Sequence, residues 1–252
     1  MRRWHWQLVL LRMAGLAAGL LITGSTYAQG QRPVPALTEA RVADTAQPSA
    51  PTIAARYRVT LVLRGQPVRV QQWQLVRSAS QISWIKGPTL TEIWRRDRSG
   101  IRLERLLPQD KHLIDYSAGE LRALQVALDW RELGSLIAPA DLASLRPLHA
   151  QAQPRTDRHY QGRLGTERIT LRWDPLAQLP VRLLRRSAAG QVLFERTAVH
   201  PALPADWPTA DAGSADYQRL DAADFGDMEY NPVVQRAQAR DVLAGWRGPH
   251  HD

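Results

Sequence analysis

Cysteine is absent from this 252-residue chain. That excludes a disulfide framework and a lipid-modified N-terminal cysteine, so stability must come from a packed core. Lysine is nearly absent too: Lys86 and Lys111 are the two lysines among 33 basic residues. With so much Ala, Leu and Arg, a biased genome explains the composition better than a nucleic-acid surface does. A nucleic-acid binder gathers its bases on one face, whereas here Arg recurs in nearly every strand-like segment, so no nucleic-acid partner is expected. Catalytic signatures are missing as well. The chain contains no G-x-S-x-G, no G-x-x-x-x-G-K-[ST] and no G-x-G-x-x-G, and nothing in the spacing of Asp110 and Asp115 supports an acid–base pair. The histidines (His112, His149, His159, His200) are scattered without metal-ligand spacing. We therefore expect no enzyme, no cofactor and no metal site.

Long apolar runs are also lacking. The stretch Met13–Gly24 is too short for a membrane span, and Arg12 interrupts it. Preceded by Arg2 and Arg3 and followed by Thr26-Tyr27-Ala28, it reads as a cleavable secretory signal over residues 1–28. A soluble periplasmic protein is the simplest outcome, with no stable membrane span after cleavage. Loss of Arg2, Arg3 and Arg12 leaves 30 basic against 24 acidic residues, a net charge of +6. Residues 29–54, rich in Pro, Ala, Gln and Thr and without apolar period, read as a disordered leader.

Alternation begins at Arg56, where Tyr57, Val59, Leu61 and Leu63 share one face. Strands are predicted at 56–63, 68–77, 81–86, 91–96, 101–107 and 111–116, with Gly100 serving a hairpin. Ser117 with Glu120 makes a capping box, and Asp129 with Glu132 offers a second helix start. Short helices follow at 118–128 and 130–138, with a third turn near 141–146. Strands resume at 158–164, 167–173, 179–186 and 191–199. This order predicts a mainly β (α+β) domain over 55–200: a strongly curved antiparallel sheet, or open half-barrel, of about ten strands with short helices over its concave face. Residues 201–252 read as a Pro/Ala/Asp-rich tail with a helix from Pro232 to about Trp246. Within it, Asp221, Asp224, Asp227 and Glu229 lack EF-hand order. They read as solvated acids, or as an Arg-pairing segment docking onto the basic domain.

Two local patterns add a resemblance. Leu75-Val76-Arg77 followed by Gln81-Ile82-Ser83-Trp84, and Leu171-Arg172-Trp173-Asp174 followed by Leu179-Pro180 and Gly190, resemble the periplasmic outer-membrane lipoprotein carrier superfamily. The resemblance implies a half-barrel closed by lid helices. It departs at Ser83, where that family places an Arg that helps hold the lid. It also implies an apolar ligand, such as a lipid or acyl chain, in a hydrophobic cavity. Cavity candidates are Leu61, Leu63, Trp73, Leu75, Trp84, Trp94 and Trp173; lid candidates are Leu121, Leu124, Leu128, Leu133 and Leu136. Shielding a palmitoyl-sized chain involves on the order of 10 kcal/mol, which a flat patch cannot supply and a lidded concavity can. The expectation is a carrier or chaperone. The alternative is a non-enzymatic adaptor or sensor of a cell-envelope complex using the same fold.

Overall fold

The computed structural model describes residues 52–126, 129–148 and 157–246. The signal and nearly all of the leader lie outside them, as does Leu128. Among the described residues no helix is long and apolar enough to cross a membrane.

Six strands follow one another as hairpins: β1 (Ile53–Leu63), β2 (Arg69–Arg77), β3 (Gln81–Lys86), β4 (Thr91–Asp97), β5 (Gly100–Leu107) and β6 (His112–Tyr116). Helices α1 (Ala118–Ala123), α2 (Trp130–Leu133) and α3 (Pro139–Ser144) come next. A second series follows: β7 (Arg146–Pro147), β8 (Arg158–Leu164), β9 (Glu167–Asp174), β10 (Leu179–Ser187) and β11 (Gly190–His200). The chain ends with β12 (Gln218–Asp221), a 3₁₀ turn (Ala222–Gly226) and α4 (Pro232–Leu243).

All twelve strands form one open sheet, in the order β12-β6-β5-β4-β3-β2-β1-β11-β10-β9-β8-β7. The two hairpin series meet where β1 pairs antiparallel with β11, from Ala54 opposite His200 to Leu63 opposite Gly190. Gly190 ends that seam at φ +145°, and a Cβ there would sit 2.3 Å from the Val62 carbonyl oxygen, so only glycine fits. The predicted open half-barrel is thus present, with two more strands than expected. β7 is two residues long and β12 lies in an irregular Pro/Asp-rich stretch, so neither offers enough alternation to be read. β12 also pairs parallel with β6, which makes that edge an exception to the antiparallel pattern.

The helices are shorter than the sequence suggests. Ser117 and Glu120 form the expected capping box, and Asp129 accepts from the Arg131 and Glu132 amides. Gln125 (φ 53°) and Leu136 (φ 63°) then break the helical path. Those reversals accompany the burial of Val126 and Ile137 in the core.

The C-terminal segment is no free tail. After β11 it crosses the outer face of the sheet, where Trp207 stacks on Arg56 (4.4 Å) and packs against His200. Tyr217 and Ala210 cover outer-face Ile93, Leu106 and Leu113. β12 then lines the β6 edge, and α4 turns onto the inner face, burying Val233, Val234 and Ala237 in the main core. The segment is a strap around half of the sheet.

Candidate functional site

Register places all seven cavity candidates on one face. Leu75 pairs with Trp84, Tyr57 with Trp73, and Ile82 with Trp94, while Leu61, Leu63 and Trp173 keep the same parity on their strands. This inner face carries two aromatic groups. In the first, Trp73 meets Trp84 (6.1 Å between centroids) and Phe194 (5.5 Å), and Tyr57 meets Trp84. The second lies under α4, where Trp246 meets Trp94 (6.2 Å) and Tyr116 (5.7 Å). Trp94 therefore belongs to the α4 end and not to the space beneath α1–α3.

The described lid residues close on this face. Leu121 and Leu133 are buried in the core, and Leu124 and Leu136 pack against it. Little space remains below them. The cleft lined by Leu136, Ile137, Leu164, Ile169 and Leu183 has a volume of about 10 Å³, room for one water. A ligand pocket for a drug-sized molecule runs to about 300 Å³ or more. Among the described residues, the inner-face side chains pack into one continuous core.

One clasp holds α2 down. Arg77 on β2 donates to the Gly134 carbonyl (2.8 Å) at the end of α2 and to the Ala177 carbonyl (2.6 Å) in the β9–β10 turn. Trp84 Nε1 donates to the Leu133 carbonyl at 2.8 Å. The Leu133 and Gly134 carbonyls are among those that a helix terminus leaves without intrahelical partners. Gly134 fits the arrangement, since a Cβ there would meet Arg77 Cδ at 2.6 Å. Arg77 and Trp84, both from the first of the two sequence patterns, thus hold the end of α2.

At the other end sits a charge cluster that sequence reasoning missed. Arg105, 2% exposed, bonds Asp241 of α4 at 2.5 Å and Tyr116 Oη at 3.0 Å; Tyr116 in turn donates to Asp241. Glu92 lies 3.6 Å from Arg105 and 2.6 Å from Lys86. Burial works against the charge of Arg105, but Tyr116, Asp241 and Glu92 outweigh it and hold its pKa above the ordinary value. Burial also opposes ionisation of Glu92, yet Lys86 and Arg105 hold its pKa below the ordinary value. Arg105 sits in a strand whose neighbours are apolar inner-face residues, which is the only sequence signal that it points inward.

Of the two readings of the acidic tail residues, the solvated one describes three of the four. Asp221 caps the 3₁₀ turn, while Asp224, Asp227 and Glu229 are exposed. Docking of the strap runs with the opposite polarity: its Arg219 pairs with Asp115 (2.8 Å) and its Arg236 with Asp110 (2.6 Å).

No family model and no curated protein matches this chain. Among solved structures it is similar to PNGF-II (TM-score 0.37, 13% identity, 72% of this chain), spanning only 34% of that chain. MucB gives a TM-score of 0.33 at 14% identity, over 67% of this chain and 59% of MucB. A LolA superfamily protein from Nitrosomonas europaea gives 0.25 at 12%, over 63% of this chain and 88% of that one. The open twelve-stranded sheet with short helices over its inner face is read from the chain's own strand order. Likeness at these scores carries no argument about function.

Proposed function

We propose that this protein is a non-enzymatic carrier or chaperone of an apolar ligand, a lipid or acyl chain, acting in the periplasm. It admits the ligand by lifting α1–α3 and not through a preformed cavity. The observation that carries this reading is the clasp. The short helices lie on an inner face rich in aromatic and aliphatic side chains that also carries the Arg185–Glu167 pair, and side-chain-to-carbonyl bonds from Arg77 and Trp84 fix the end of α2 to it. Bonds of that kind contribute about 1 kcal/mol each, so the lid is held firmly enough to stay closed and weakly enough to open.

Titration of a fluorescent fatty-acyl probe tests it. Saturable binding is expected, with tighter apparent affinity in Arg77→Ala because the closed state then competes less well. Absence of binding in both proteins would overturn the carrier reading. The packed core would then favour the adaptor or sensor reading, in which the sheet serves only as a scaffold.

A further inference from the structure

We infer that the outer face of β8–β10 docks on an anionic lipid bilayer. Cross-strand register sets Arg163 opposite Arg168, and Arg168 opposite Arg186, in one row over three neighbouring strands. Four residues along, Arg172 stands opposite Arg182. Arg58 of β1 extends that second row through Glu195. All six arginines are exposed. Like charges directly opposite one another destabilise a sheet, so local folding does not explain the arrangement.

Two carboxylates answer these bases: Glu195, 3.5 Å from Arg182, and Asp157, 3.3 Å from Arg172. Glu167 does not, because it lies on the inner face with Arg185. Arg186 is bonded to Gln191, a neutral partner. Between the rows, Leu184 and Leu193 form a short apolar strip, with Leu184 buried beneath the arginine stems. The strap covers the outer face at β1 and at β4–β6, and among the described residues nothing covers it at β8–β10. An exposed row of guanidinium groups fits phosphodiester head groups, which Arg engages in bidentate fashion. The outer face of the sheet presents no helix to enter a nucleic-acid groove. The contact leaves the inner face and the lid helices pointing away from the lipid.

Co-sedimentation of the purified protein with vesicles tests this, using phosphatidylcholine alone and phosphatidylcholine with about one third phosphatidylglycerol. Binding is expected only to the anionic vesicles, and it should fall away near 1 M salt, where the Debye length is about 3 Å. Each base near an anionic surface changes partition about fivefold, so the triple variant Arg163→Gln/Arg168→Gln/Arg186→Gln should bind roughly 100-fold more weakly. The variant Arg69→Gln/Arg98→Gln/Arg102→Gln removes the same charge elsewhere and should change binding less than about threefold. Equal losses in the two variants would reduce the effect to net charge and overturn the assignment. So would wild-type protein that ignores anionic vesicles, including one that binds duplex DNA instead. Circular dichroism melting guards the comparison: relief of the Arg–Arg oppositions should leave the patch variant at least as stable as wild type. This test is independent of ligand binding in the interior.

Discussion

Arg77 is held by three elements at once: its own strand, the end of α2 and the β9–β10 turn. Replacing it with alanine leaves the Gly134 and Ala177 carbonyls without their donor, at a cost of about 1–3 kcal/mol. Because the loss is local, amide hydrogen exchange over residues 129–145 should quicken well before the β1–β11 seam does. Uniform quickening across the sheet would refute a local clasp. Glu92 gives a second residue-level test. Its pKa is lowered from an ordinary value of 4.5, so its contribution to stability is present above that value and fades as pH falls through the folded pKa. In urea unfolding, wild type should exceed Glu92→Gln by about 1–3 kcal/mol near neutrality. The gap should narrow below about pH 4. A gap that stays constant with pH would mean that Glu92 acts by packing alone.

Elements were legible where side-chain period is strong. The paired strands from β1 to β6 and β8 to β11 announce themselves by alternation, and the capping pairs Ser117/Glu120 and Asp129/Glu132 mark the helix starts. Helix ends were not legible, because they depend on left-handed Gln125 and Leu136, residue types with no local preference for that conformation. α4 was read as a helix, but its destination was hidden. What fixes it is Asp241 meeting Arg105, residues 136 positions apart, and no local pattern encodes such a partnership. Breaking a buried pair on one side costs about 3–5 kcal/mol, because the remaining charge keeps its desolvation penalty. Asp241→Leu should therefore lower the thermal midpoint sharply. The double variant Arg105→Met/Asp241→Leu should recover part of the loss, since an apolar replacement of both partners removes the stranded charge while Glu92 keeps Lys86. If the double variant is as unstable as the single one, α4 is not docked through this pair.

At the scale of the whole molecule, the strap covers a sheet edge and part of the inner face that would otherwise be open to another chain. A sheet that does not close on itself leaves two edges, and an unpaired edge is a template for another chain. At one end β7 pairs with only two residues of β8, Tyr160 and Gln161, and Gly162 packs there against Leu145, so that edge is short and partly blocked. At the other end β6 runs for five residues and is covered by β12, held by the Arg219–Asp115 pair. The same segment supplies α4 and Trp246, which pack against Trp94 and Tyr116, both at most 4% exposed. Ending the chain at Asp216 removes both covers together. Such a truncation should bind a hydrophobic dye strongly and self-associate with rising concentration in light scattering. The milder Arg219→Ala/Arg236→Ala variant, which keeps the chain whole, should shift in the same direction but less. Exposed ion pairs are worth under about 1 kcal/mol each, and α4 would still be anchored through Asp241. A truncated chain that remains monomeric and dark to the dye would show that the sheet protects its own edge and inner face. The strap would then be an addition to the fold and not a condition of it.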